Sequence, residues 1–250
     1  MQTLAERMKK IEKGLSTRTS DDSMTTQKKF RCEKCQDFGY VLVVESGREG
    51  FVECECLKVR EAEQRLKNAG LYEAFKDKVF SNFLETKSNK ILKEKCMEYV
   101  QNKAYLERSI ILTGNVGSGK THLATAITNN LLDKNVEVVY IDYRNFMTKL
   151  KQSILDREYY QGEIERLQNA QILFIDDLFK GKITESDVNI MFEIVNMRYL
   201  KKKQMIITSE KDIQTLLNID KAVSSRIYEM STGYVLHSVA ENYRLRQVRE

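Results

Sequence analysis

The chain of 250 residues contains no proline, no tryptophan and only two histidines. Without proline, its turns must rest on glycine, asparagine, aspartate and serine. With His122 and His237 as the only imidazoles, a metal site elsewhere in the chain has to use other ligands. No apolar run approaches the roughly 18–20 residues that span a bilayer, and the first 15 residues mix charged and apolar side chains too evenly for a secretion signal. A cytosolic protein with no membrane partner is the expectation. Strong charge is lacking too: the formal net charge of +5 permits a local nucleic-acid contact without requiring one. What is present, 42% hydrophobic and 31% charged residues, describes a folded chain long enough for one large or two small domains.

Of five cysteines, Cys32, Cys35, Cys54 and Cys56 cluster, and Cys96 stands alone in a helical pattern. In a reducing compartment this distribution reads as a metal site plus a buried thiol, not a disulfide framework. Residues 40–44 and 51–55 have strand character on either side of a glycine-containing turn, which predicts a β-hairpin. The hairpin would bring Cys32-x2-Cys35 and Cys54-x-Cys56 together at its open end. Cys54 and Cys56, two apart on a strand, would share a face. Four thiolates suit tetrahedral Zn²⁺, and a closed four-cysteine shell is structural; redox-active or inert thiols are the alternative. The metal would substitute for the core that so small a module cannot build.

The rest of the chain divides by pattern. Leu4, Met8, Ile11 and Leu15 repeat at helical spacing, so 1–15 is predicted to be an amphipathic helix that docks on the chain itself or on a partner. Residues 16–29 are a polar linker, and 30–70 hold the cysteine module followed by a charged helix at 58–69. From 71 to 250, strands predicted at 109–113, 137–141, 172–175, 205–208 and 234–237 alternate with helices, notably 120–133, 144–155, 157–169 and 187–202. Short apolar strands separated by helices imply an α/β fold, a three-layer parallel sheet of about five strands covered on both faces.

Gly114-Asn115-Val116-Gly117-Ser118-Gly119-Lys120-Thr121 fits the phosphate-loop pattern G-x-x-x-x-G-K-[ST] at every position. It follows the strand Ile110-Ile111-Leu112 and opens a helix at His122-Leu123, the context the motif needs. Glycines let backbone N–H groups wrap a phosphate, and the helix N-terminus adds positive potential. Lys120 is expected on the β- and γ-phosphates of ATP and Thr121 on Mg²⁺. The strand Gln171–Ile175 ends in Asp176 and Asp177, delivering carboxylates to the sheet edge where ligands bind. Asp176 is placed to hold Mg²⁺, and Asp177 to orient or deprotonate the attacking water. No arginine-rich lid or monophosphate site, as small nucleotide kinases carry, stands out.

Three further features bear on partners. Met205 to Glu210 ends a strand in polar groups that would sense a γ-phosphate if it lies beside the phosphate-loop strand. Arg226, flanked by small and apolar residues, is a candidate for donation to a neighbouring subunit's ATP, which implies self-association; a surface or salt-bridged arginine is the plainer alternative. The basic stretch Arg144, Phe146, Lys149 and Lys151 could hold a single strand through phosphate contacts and base stacking, although such a phenylalanine also suits a core. Lys201 to Lys203 are adequately explained by a helix C-terminus, with a phosphate-backbone contact as the alternative.

Together these motifs resemble the helicase-loader branch of the AAA+ ATPases, the DnaC/DnaI-type loaders, with the transposition helper IstB a relative. The likeness covers about 30–250. It rests on Cys32-Glu-Lys-Cys35-Gln-Asp-Phe-Gly-Tyr with Cys54-Glu-Cys56, on Val79-Phe80-Ser81-Asn82-Phe83, and on the phosphate loop. It continues through Phe174-Ile175-Asp176-Asp177-Leu178-Phe179-Lys180-Gly181, Ile206-Ile207-Thr208-Ser209, Ser225-Arg226-Ile227 and Asn242-Tyr243-Arg244-Leu245-Arg246. The resemblance implies an ATPase site at Lys120, Thr121, Asp176 and Asp177, an arginine finger at Arg226, and partnership with a replicative helicase hexamer and single-stranded DNA. Glu210 stands where the family often has asparagine, and the 24 residues after Arg226 are few for a helical lid. The cysteine module favours a loader over a duplex-DNA transposition helper; a small-molecule phosphotransferase is the rival from another class.

Overall fold

The computed structural model describes residues 30–45, 48–68, 75–240, 242 and 243; the helix predicted at 1–15 and the linker at 16–29 lie outside them. The chain divides into two compact units at Lys58/Val59. In the first, β1 (Tyr40–Glu45) pairs antiparallel with β2 (Arg48–Glu53), setting Leu42 opposite Phe51. The strands run closer to the turn than predicted, and β2 ends at Glu53. This corrects the expectation that Cys54 and Cys56 lie on one face of a strand. Cys54 follows β2 and Cys56 opens α1 (Cys56–Asn68). A tight turn, closed by the Leu57 N–H donating to the Cys54 carbonyl at 2.8 Å, brings the two thiols together instead.

The second unit holds a five-stranded parallel sheet of β3 (Ile110–Gly114), β4 (Val138–Asp142), β5 (Ile172–Asp176), β6 (Met205–Ser209) and β7 (Val235–Ser238), in the order β4-β5-β6-β3-β7. Each strand lies within one or two residues of its predicted span. The strands are apolar along their length because both faces are covered. Period two divides them between the layers: Ile110, Leu112, Val138, Phe174 and Ile206 face one core with α2 (Lys90–Gln101) and α3 (Lys120–Asp133). Ile111, Val139, Leu173, Ile175 and Ile207 face the other, with α4 (Tyr143–Gln152), α5 (Arg157–Asn169) and α6 (Glu185–Leu200). Each fully buried branched or aromatic side chain contributes about 1.5–3 kcal/mol. Cys96 sits in the α2 layer, fully buried, as its helical pattern implied.

Two short helices, α7 (Ile213–Ile219) and α8 (Lys221–Met230), complete the unit. Asp212 and Asp220 cap them, their carboxylates accepting the N–H groups of Thr215 and Val223 at 2.7 Å. Helix α6 begins two residues before its predicted start because Thr184 and Asp187 form a capping box. Among the described residues no helix is long and apolar enough to cross a membrane.

The sheet order is what positions the site. The chain leaves β3, crosses β6 and β5, and enters β4 at the far edge. This reversal is a topological switch point, and the carboxyl ends of β3, β6 and β5 open beside it.

Candidate functional site

The phosphate loop connects β3 to α3, with Gly114 and Gly119 at φ +124° and +90°. At both positions glycine is also required by space. A Cβ on Gly114 would fall 2.0 Å from the Ser238 carbonyl of β7, and one on Gly119 2.6 Å from the Phe83 ring. Lys120 is buried and turned back on the loop, donating to the carbonyls of Gly114 at 2.8 Å and Asn115 at 2.6 Å. Burial pushes its pKa down against the pull of Asp177, Glu210 and Asp176. The buried Ser118 hydroxyl has no hydrogen-bond partner. A loop holding an unpartnered hydroxyl and an ammonium parked on backbone carbonyls has donors to exchange onto a phosphate.

Asp176 ends β5 and Asp177 follows it at the start of the next turn. Asp176 Oδ1 accepts hydrogen bonds from Thr121 Oγ1 at 2.9 Å and Thr208 Oγ1 at 2.5 Å, and Tyr140 OH donates to Oδ2 at 3.4 Å. Burial pushes the Asp176 pKa up, the neighbouring Asp177 charge adds to that, and the threonine hydrogen bonds oppose it. Thr208 also accepts the Asp177 N–H at 2.8 Å, so one hydroxyl on β6 fixes both acids. Sequence reasoning gave Thr208 no such part; its signal was a polar residue inside an apolar strand that lies, as required, beside β3. Thr121 and Asp176 together offer hard oxygen ligands suited to Mg²⁺.

A cavity of about 510 Å³ opens over these residues, lined by the phosphate loop from Val116 to Thr121, by His122, Asp176, Asp177, Lys180 and Glu210, and by Asn82, Phe83 and Leu84. That volume suits a nucleotide-sized ligand. His122 Nε2 lies 3.0 Å from the Val79 carbonyl and its ring meets Phe83 edge-on at 5.3 Å, which explains why 79–83 and the loop are joined. Glu210 faces the cavity in an ion pair with Lys180 at 2.8 Å.

Other candidates lie elsewhere. Arg226 on α8 is absent from the cavity lining. Its guanidinium sits over the α6 rings of Phe192 and Tyr199, 5.2 and 5.5 Å from their centroids, and donates to the Ala222 carbonyl at 2.8 Å. On α4, Arg144 and Lys149 are exposed, Phe146 packs against the core, and Lys151 is engaged by Asp187 at 2.5 Å and by Thr184.

In the first unit the four sulfurs of Cys32, Cys35, Cys54 and Cys56 all lie within 4.8 Å of one another, and all four residues are buried. Cys32–Cys54 and Cys35–Cys56 are 3.7 and 3.4 Å apart, against the ~3.8 Å edge of a tetrahedron with Zn–S bonds of about 2.3 Å. The Gly39 N–H donates to Cys35 Sγ at 3.3 Å. The Cys35 backbone N–H does most to hold the Cys32 thiol down, at about 7, against burial. The donor set fits a soft, four-coordinate metal ion such as zinc.

A family model for the bacterial DnaA ATPase domain matches residues 75–234. The phage-like element PBSX protein XkdC of Bacillus subtilis (strain 168) is 34% identical over 238 residues, 88% of this chain and 88% of that one. Among solved structures, the DnaC helicase loader superposes with TM-score 0.58 at 19% identity, covering 66% of this chain and 98% of that one. A replication initiator DnaA bound to AMPPCP and single-stranded DNA gives 0.56 at 24% identity, covering 66% and 50%; the chain spans about half of that DnaA. These structural likenesses concern the fold, whereas the family match takes in β3 through β6 with the phosphate loop and both aspartates. The chain therefore belongs to the bacterial DnaA ATPase-domain family and has its AAA+ α/β fold.

Proposed function

We propose that this chain is an ATP-dependent loader of a replicative DNA helicase onto single-stranded DNA. The observation that carries this reading is the joining of a four-cysteine hairpin to a AAA+ unit that spans 98% of a solved DnaC helicase loader but only half of a DnaA. That DnaA was solved with single-stranded DNA, which supports the same choice of nucleic acid.

The residues on hand suit a slow ATPase. Lys120 and the loop N–H groups would hold the β- and γ-phosphates. Thr121 and Asp176 would hold Mg²⁺, which supplies charge neutralisation on the phosphates when bound. Asp177, its backbone fixed by Thr208, would accept the proton of the attacking water. Arg226 would act on a neighbouring subunit's ATP after leaving its aromatic seat, and Arg144 and Lys149 would contact DNA phosphates. Cys32, Cys35, Cys54 and Cys56 would hold a structural zinc.

The test is co-purification of the full chain with the host's replicative helicase, with and without ATP, followed by binding to single- and double-stranded DNA. The reading expects ATP-dependent capture of the helicase and preference for single strands. No helicase binding in either condition would sink it, and preference for duplex would move the protein to the transposition-helper class.

A further inference from the structure

Lys180 stands on the rim of the nucleotide cavity, and the chain goes to some trouble to put it there. Between β5 and Lys180 the backbone turns through Asp177 and Phe179, both at φ +57°. Such a conformation is uncommon for non-glycine residues and is strained for a side chain as bulky as phenylalanine. The corner is held from inside. Leu178 and Phe179 are buried, the Leu178 N–H donates to the Thr208 carbonyl at 2.8 Å, and the Phe179 ring meets Tyr143 edge-on at 5.6 Å.

The ammonium so delivered bridges two acids, 2.7 Å from Asp177 Oδ2 and 2.8 Å from Glu210 Oε1. The side chain is 39% exposed, and an ion pair that open contributes little to stability. Packing of Leu178 and Phe179 accounts for the corner, but the stability of these ion pairs does not account for a lysine at its end. Charge in the cavity does. Asp176, Asp177 and Glu210 face the same space as Lys120, so without Lys180 three carboxylates would oppose one ammonium where a polyphosphate must enter. Glu210 follows β6, which lies between the phosphate-loop strand β3 and β5.

We propose that Lys180 is a second phosphate-binding cation of this site, stored on Asp177 and Glu210, and that it sets the preference for nucleoside triphosphate over diphosphate. It rests on the reading of the cavity as an ATP site. A terminal phosphate draws the Lys180 ammonium away from the two carboxylates; a diphosphate leaves it where it is. The exchange frees Asp177 for the attacking water only when a triphosphate is present, and the half-exposed Glu210 returns to solvent.

The experiment titrates the full chain with fluorescent ATP and ADP in Mg²⁺, for the native chain and for Lys180→Ala, Lys180→Arg, Glu210→Gln and the Lys180→Ala/Glu210→Gln double variant. Loss of one charge-assisted bond should weaken ATP binding by about tenfold in Lys180→Ala and leave ADP binding nearly unchanged. Lys180→Arg should keep most of the preference, and the double variant should recover part of the loss because the exposed carboxylate is gone. Should Lys180→Ala fail to fold, Lys180→Gln carries the same expectation. Equal loss of ATP and ADP, or no loss of either, would overturn the inference while leaving the ATP site standing. A native chain that binds neither nucleotide would overturn the site reading itself, and the inference with it.

Discussion

At the cysteine cluster four identical donors already face one another, within 4.8 Å and buried, and nothing outside the first unit is needed to complete a shell. At the phosphate loop the charged groups are engaged with the protein instead, although the Ser118 hydroxyl is not. Lys120 lies on two backbone carbonyls, Lys180 on two acids, and Asp176 on two threonines. A ligand of the cluster joins groups that are waiting for it, whereas a ligand of the loop must exchange existing bonds for its own. The first arrangement suits a permanent structural ion. The second suits a ligand that comes and goes, because the protein itself offers partners to the site's charged groups.

Stripping the metal breaks this comparison hardest. Chelation of the full chain at pH 7, or Cys35→Ser, should abolish metal binding and unfold the hairpin, since structural zinc is worth roughly 10–16 kcal/mol of apparent folding free energy in small modules. ATP binding in the same sample should survive. Metal analysis with limited proteolysis checks the first half and an ATP titration the second; parallel loss of both would mean that the two regions are one cooperative body.

Next in size is Arg226→Ala. If the guanidinium leaves Phe192 and Tyr199 to reach a neighbour's ATP, hydrolysis should drop by about 10³-fold with nucleotide affinity kept. Equal loss of turnover and affinity would make Arg226 a packing residue, and the steady-state rate across protein concentration separates the cases.

The smallest effect concerns what holds the ATPase unit together without a metal. Burial alone would raise the Asp187 pKa, but the Lys151 ion pair and the Thr184 hydrogen bonds outweigh it, so the net shift is downward. A depressed carboxylate stabilises the fold fully above the unfolded value of about 3.9 and loses that contribution as pH falls through the lower folded value. Asp187→Asn should therefore cost about 1 kcal/mol at pH 7, with the gap to the native chain closing in strong acid. Urea melts at both pH values measure it; a gap that stays constant would remove the capping box from the account.

Much of this was legible because the informative residues carry their own geometry. The phosphate loop demands a strand before it and a helix after it, and β3 and α3 are there. The paired aspartates needed only a buried strand to reach the sheet edge. What stayed hidden depends on contacts distant in sequence. Thr208 reads as one of several polar groups ending a strand, and its hold on Asp176 and Asp177 appears only once β6 is known to lie between β3 and β5. Arg198 shares the apolar face of α6 with Met191, Ile194 and Val195, yet it is fully buried and donates to the carbonyls of Leu167, Ala170 and Gln204. It thus ties the end of α5 to the entry of β6, a role periodicity alone would have given to a leucine. The approach of Cys54 and Cys56 was foreseen for a wrong reason, because a helix start looks like one more strand residue when only spacing is read.

The contrast between the two regions comes down to whether the loop exchanges its stored bonds for a nucleotide, and Lys120→Ala tests that most directly. Equilibrium titration of the full chain with Mg·ATP should show binding that this substitution weakens by at least about tenfold while the metal content of the cysteine cluster stays the same. Unchanged ATP affinity in Lys120→Ala would contradict the account, since the cavity would then hold nucleotide without the group the loop is built to present.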